Sequence, residues 1–235
     1  MVRHMMDCGL KPTRPVPATR KEADVGEVWC IRHGESDSNA GNVTTHPALS
    51  NLTEAGRVQA ARVPLAFDRA PDRIVVSSYI RTAQTAAFLR QRFPHVPCEE
   101  WPVHEFTLLA PARYEGTTNA FRRPLMEAYW ERNDPQASDL DQAETFAAFT
   151  ARVQAMVTRL RGLPGFTAVF SHGLFIRTVL WQLITSDHGS DALAMRRLRA
   201  FKDATFLPNC AILKLRFNAP DAVWCSGFVA GHQRD

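Results

Sequence analysis

Apolar and polar positions along the chain alternate between two periods. Short β-rich runs stand at 27–31, 74–76 and 166–170, and each breaks off abruptly into polar residues: Arg32-His33-Gly34-Glu35, Ser77-Ser78 and Ser171-His172-Gly173. A further strand is expected over 96–101, and two late runs, 211–217 and 222–229, complete a sheet. Between the strands the apolar period lengthens to that of a helix. One helix is expected to begin near Thr53, with Glu54 in its first turn and Pro64 near its end. Others are expected over 80–93 and 174–184. Phe146, Phe149, Val153, Met156, Val157 and Leu160 recur at helical spacing, after an Asp141-Gln142-Ala143-Glu144 stretch that resembles a capping box. Residues 105–140 break this rhythm with prolines and polar clusters, and read as an insertion of loops and short helices.

Strand–helix alternation of this kind implies an α/β three-layer sandwich with a mostly parallel central sheet. In such sheets ligands bind beyond the carboxyl ends of the strands. Three polar clusters sit at strand ends here, so parallel strands would bring His33, His172, Arg32 and Arg81 to one edge. Residues 1–25 read as a flexible lead-in, and 26–235 as one domain carrying the insertion.

Composition narrows the partners. Hydrophobic residues make up 45% of the 235, enough for a core, and no apolar run approaches a membrane span. The N-terminal stretch lacks the apolar segment of a secretory signal. The five cysteines show no CxxC spacing and their number is odd, which reads as reduced thiols in a cytoplasmic protein. The net charge of +4 comes mostly from scattered arginines. With no basic run interleaved with aromatics, no specific nucleic-acid binding is expected, and Arg196-Arg197-Leu198-Arg199 reads as a solvated helix face. Arginine suits small phosphate ligands, because its planar fork matches phosphate oxygens.

Phosphoryl transfer needs positioning and charge stabilisation above all. Arg32 and Arg81 can bind phosphate oxygens. Helix starts after residues 78 and 173 offer backbone N–H groups. Arginines beside His33 would keep its imidazole neutral and nucleophilic. Taken singly, each of these residues has an ordinary structural role: a core histidine, a surface arginine, a serine cap. Spacing and periodicity point to an anion pocket without identifying its nucleophile.

The residues also carry a family resemblance. Arg32-His33-Gly34-Glu35-Ser36 with Asn39, then Leu52-Thr53-Glu54-Ala55-Gly56 with Gln59-Ala60, then Ser77-Ser78 with Arg81-Thr82-Ala83-Gln84-Thr85-Ala86, then Glu105, Glu144 and Ser171-His172-Gly173 resemble, in order, the motifs of the phosphoglycerate-mutase-like histidine phosphatase superfamily. The resemblance implies that His33 accepts the phosphoryl group. It implies that Arg32, Arg81 and His172 bind that group, with Asn39 and Gly173 beside them, and that Glu105 acts as general acid and then as base. It implies no metal and no organic cofactor. The substrate would be a small phosphorylated metabolite or a phosphoprotein, and the oligomeric state is left open. A phosphoglycerate mutase-type phosphotransferase is the alternative activity, less favoured because residues 40–51 lack the tryptophan such mutases carry. Glu105 is expected to be the acid rather than Glu115, because it closely follows a strand. The insertion is expected to set substrate choice through Phe106, Tyr114, Arg122, Arg123, Tyr129 and Trp130, unless these aromatics merely pack it.

Overall fold

In the first strand, β1 (Gly26–Arg32), Val28 and Cys30 face one side and Trp29 and Ile31 the other, and all four are buried. A strand covered on both faces belongs inside a sheet with helices above and below. The computed structural model describes residues 26–219 and 222–233, so the lead-in expected over 1–25, with Cys8, lies outside the described residues. The chain continues through α1 (Asp37–Ala40), α2 (Glu54–Arg62), β2 (Arg73–Val76), α3 (Ile80–Arg92), β3 (Cys98–Glu100), α4 (Asn119–Arg132), α5 (Phe146–Arg161), β4 (Phe166–Ser171), α6 (Gly173–Thr185), α7 (Ala192–Ala204), β5 (Ile212–Ala219) and β6 (Ala222–Val229).

The sheet order is β3-β2-β4-β1-β5-β6. The first four strands run parallel, and β5 and β6 form an antiparallel hairpin on the β1 side. This is the mostly parallel sandwich that the alternation implied. Trp29, Phe67, Phe166 and Phe170 pack the face covered by α2 and α3. Phe146, Phe149, Phe175 and Val179 fill the other, under α5 and α6. Register pairs Arg32 with Ser171 and Val76 with Phe170, so the residues after β1, β2 and β4 leave the sheet at one level.

Five local expectations need correction. The insertion is less irregular than its prolines implied: α4 occupies 119–132 with Pro124 inside it, capped by the Thr118 hydroxyl accepting from Phe121 N–H. Asp141–Glu144 is not the capping box of α5. Thr145 is its N-cap, accepting from Ala148 N–H, and Glu144 is drawn into a two-pronged ion pair with Arg152. Ser77-Ser78 does not cap α3 either; Tyr79 is its N-cap, with no side-chain hydrogen bond. The Arg196–Arg199 cluster lies on α7, where Arg196 and Arg197 are exposed, but Leu198 is buried and Arg199 half-buried. The third strand shortens to Cys98–Glu100, since it pairs with β2 alone at the edge of the sheet.

Candidate active site

The turn after β1 is shaped by contact between two glycines. A side chain on Gly34 would lie 2.5 Å from the Gly56 carbonyl oxygen, and one on Gly56 only 1.9 Å from that of Glu35. Any Cβ at either place would push α2 off the turn. Thr85 Oγ1 accepts from Gly34 N–H at 3.1 Å, Gln59 accepts from Glu35 N–H at 2.9 Å, and Glu35 accepts from the Thr53 hydroxyl at 2.7 Å. The polar residues of the three neighbouring motifs thus hold one loop.

That loop presents His33. Its Nδ1 lies 2.6 Å from the Gly34 carbonyl, and Arg81 Nε donates to its Nε2 at 3.1 Å. The bonds assign the proton to Nδ1 and leave the Nε2 lone pair facing the guanidinium. Burial, then Arg81 and Arg32, hold the His33 pKa well below its usual value, against a smaller opposing push from the Gly34 carbonyl. The imidazole is therefore neutral near pH 7.

Arg81 is itself buried, and each of its nitrogens is engaged: Nε with His33, Nη1 with the Pro47 carbonyl at 2.7 Å, and Nη2 with His172 Nδ1 at 3.0 Å. Since Arg81 donates to Nδ1, the proton of His172 sits on Nε2, which meets Ser77 Oγ at 2.7 Å. Ser77 Oγ also accepts from Tyr79 N–H and lies 3.0 Å from Thr82 Oγ1. The two imidazoles are 5.1 Å apart, and burial followed by Arg81 keeps the His172 pKa well below its usual value too.

A cavity of about 190 Å³ opens on this group, with His33, Arg32, Arg81, Asn39 and Glu105 in its wall. Arg32 Nη1 donates to the Leu207 carbonyl at 2.5 Å, while its buried Nε has no hydrogen-bond partner among the described residues. Asn39 closes the short α1 turn against Ser36, and its Oδ1 also accepts from Asn209. Glu105 reaches the first turn of α6: Oε1 accepts from Phe175 N–H and Oε2 from Leu174 N–H, both at 3.1 Å. The backbone donors expected to meet phosphate at this helix start are thus taken by the carboxylate.

The structure brings the two histidines and two arginines singled out from the sequence into one cluster, with two refinements of position. His172 is fully buried and stands one layer behind the cavity wall, touching it through Arg81. Gly173 lies outside the wall as well. A Cβ there would sit 3.5 Å from Arg32 Nε and 3.2 Å from Arg177 Nη1, so the glycine gives these guanidinium groups room. Among the insertion residues, Phe106 and Tyr114 line the cavity, whereas Tyr129 and Arg122 are buried supports. Glu115 is exposed and outside it.

Several supports were missed. Asn209 donates to the His33 carbonyl at 2.9 Å, although 176 residues separate them. Ser77 was visible in the sequence, but its partnership with His172 was not. Arg152, paired with Glu144, donates to the carbonyls of Pro102 and His104, at 3.0 Å each, and so pins the segment that leads from β3 to Glu105. No local pattern marks such long-range bonds.

Known proteins share this arrangement of elements. The chain is 27% identical over 139 residues to the adenosylcobalamin/alpha-ribazole phosphatase of Salmonella typhi, a match spanning 57% of this chain and 66% of the relative, just under two thirds of its length. An Escherichia coli K-12 protein assigned as an alpha-ribazole-5′-P phosphatase superposes with a TM-score of 0.68 at 21% identity, covering 87% of this chain and 96% of that one. An Entamoeba histolytica phosphoserine phosphatase superposes with a TM-score of 0.63 at 18% identity, covering 88% and 98%. The sequence profile that matches residues 28–219 runs from within β1 to the end of β5 and takes in the whole histidine–arginine cluster, and the chain belongs to the histidine phosphatase superfamily, branch 1.

Proposed function

We propose that the chain is a phosphatase that hydrolyses a small phosphomonoester through a phosphohistidine on His33. One observation carries the reading: a buried neutral imidazole has its Nδ1 proton tied to Gly34 and its Nε2 held by Arg81 Nε, in the wall of a cavity that Arg32 and Arg81 also line. As the Arg81 guanidinium turns its donors to the phosphoryl oxygens, the Nε2 lone pair is freed to attack phosphorus, and the bond to the leaving oxygen breaks. The Glu105 carboxyl gives that oxygen its proton as general acid. Water then attacks the phosphohistidine, Glu105 takes the proton of the water, and the P–N bond breaks to restore His33 and release phosphate.

The arginines carry the charge of the transferring group throughout. A phosphoryl oxygen would give Arg32 Nε the acceptor it lacks. His172, held by Ser77, keeps Arg81 in place behind the cavity wall. This chemistry calls for no metal and no organic cofactor. The protein is read as cytoplasmic because Cys30, Cys98, Cys210 and Cys225 are all free thiols. Among the described residues, no helix is long and apolar enough to cross a membrane.

Rapid mixing with a phosphomonoester, quenched without acid and followed by mass spectrometry, is expected to find an acid-labile phosphate on His33. Turnover is expected to survive EDTA and to be inhibited strongly by vanadate, a mimic of the five-coordinate transition state. His33→Ala should lower kcat by a factor on the order of 10³–10⁶. Near-normal turnover in that variant, or a requirement for a specific divalent ion, would overturn the mechanism.

A further inference from the structure

A second cavity, of about 550 Å³, opens in the groove between α4 and α7. Glu105, Phe106 and Tyr114 line both this groove and the phosphate cavity, so the two compartments meet at the proposed proton donor. We propose that the groove between α4 and α7 holds the leaving group of the substrate, and that this group is a nucleoside-sized alcohol bearing a flat, largely apolar ring system. The assignment rests on the phosphatase reading above and adds the class of molecule.

Size comes first. At about 190 Å³ the inner cavity falls below the roughly 300–1,000 Å³ of usual small-molecule sites and suits a phosphoryl group with few further atoms. The groove lies within that range. A three-carbon acid would leave most of it to water. Position comes second: the atom that receives the proton from Glu105 is the oxygen joining phosphorus to the leaving group. Whatever lies beyond that oxygen on the far side of Glu105 enters the groove.

The chemistry of the lining selects the ring. Phe106, Leu108, Met126, Trp130 and Leu174 form its apolar part. Trp130 and Phe106 are buried and stand edge to face at 6.1 Å, so the wall they make is rigid. A flat ring laid on it would displace poorly held water at little entropic cost. The cations at the rim are not equivalent. Arg123 pairs with Glu127 at 2.8 Å, and Lys202 pairs with Asp203. Arg199, half-buried on α7, has no ion-pair partner among the described residues. Its fork is available to a ring nitrogen, a carbonyl or a hydroxyl of the leaving group. Substrate choice is thereby shared between the insertion and α7, a helix far away in sequence.

The test is a comparison of kcat/KM within one panel: ribonucleoside 5′-monophosphates and alpha-ribazole-5′-phosphate against O-phosphoserine and 3-phosphoglycerate. At least one ring-bearing substrate should exceed both small acids by tenfold or more. Met126→Trp, which fills the groove, should reduce that ratio about tenfold, and Arg199→Ala should reduce it several-fold. Arg196→Ala, exposed on the same helix and outside the groove, should leave it unchanged. The nucleoside freed by the preferred substrate should inhibit competitively, whereas serine should not. Met126→Trp could misfold, but neither the Arg199 variant nor product inhibition depends on it. A preference for the small acids would overturn the groove assignment. So would a ratio within twofold of wild type in both groove variants. Neither result touches the phosphatase reading, which fails separately if His33→Ala retains turnover across the panel.

Discussion

Glu105 and Glu115 differ in what holds them. The Glu105 carboxylate is gripped by the backbone of α6 and lines the phosphate cavity, while Glu115 is exposed on a turn outside it. A proton donor has to stand within hydrogen-bond reach of the leaving oxygen, and rigid placement favours that. Glu105→Gln keeps the shape and the bonds from Leu174 and Phe175 but cannot supply a proton efficiently. With an alkyl phosphate it should lower kcat by roughly 10²–10⁴-fold. With p-nitrophenyl phosphate, whose leaving group barely needs protonation, formation of phosphohistidine should suffer much less, and slow hydrolysis should give a burst of nitrophenol. Glu115→Gln should leave both substrates within a few-fold of wild type. The opposite pattern would reverse the assignment. Sequence position after a strand pointed to Glu105. Its grip on α6 could not be read there, because the partners lie some seventy residues further on.

At the scale of elements, α5 helps to aim Glu105 without touching the cavity. Arg152, on α5, is clasped by Glu144 through bonds of 2.8 and 2.7 Å and spends its remaining donor on the Pro102 and His104 carbonyls. Both side chains are mostly buried, which keeps the pair from being screened as a surface pair would be. Arg152 is a positioning residue. Arg152→Ala should lower kcat on an alkyl phosphate by about tenfold, equivalent to about 1.4 kcal/mol in barrier, with KM little changed. Because it acts through Glu105, the loss should shrink on p-nitrophenyl phosphate. Arg152→Lys, with the charge but not the fork, should rescue only partly. Equal losses on the two substrates, accompanied only by a lower Tm, would mean that the pair is merely structural. The insertion shows the limit of pattern at this scale. Pro124 and the surrounding polar residues hid α4, whose buried Arg122, Tyr129 and Trp130 are held by tertiary packing. Arg122 donates to Thr44 and Thr117, and Tyr129 accepts from Phe146 N–H.

Across the whole molecule, the site sets a pH limit on stability. His33 and His172 are buried with pKa values well below the usual 6.5, so folding excludes the protons that both would bind in the unfolded chain. Well above pH 6.5 neither state is protonated and the pair has no effect. As pH falls through 6.5 the unfolded state gains protons that the native state refuses, and stability drops. The limiting slope is about 1.4 kcal/mol per pH unit for each histidine. Between pH 7.5 and 5.5 the two together should cost about 3 kcal/mol, measured by urea denaturation. His33→Asn with His172→Asn should make that slope shallower, leaving the part contributed by His104 and His232, whose pKa values burial also lowers. A wild-type stability that stays level over this interval would show that the native pocket accepts protons. Catalysis should not lose the proposed nucleophile in the same window, since native His33 stays neutral there.

The sequence by itself determined the alternation of strands and helices, the parallel core of the sheet and the polar residues at its carboxyl edge. Those properties follow from periodicity and from the chirality of strand–helix–strand connections, which are local. It also singled out His33, Arg32, Arg81, His172 and Glu105 as candidates, through motifs whose glycines and polar residues hold one loop. Tertiary structure decided the rest. The two histidine tautomers were fixed by Gly34, Arg81 and Ser77. His172 was set behind Arg81, and the α6 N–H groups were assigned to Glu105. Only folding placed α7 across from α4 to form the groove beside the phosphate cavity. Each of these depends on bonds or contacts between residues far apart along the chain, where the sequence holds the partners but carries no periodic signal of their pairing.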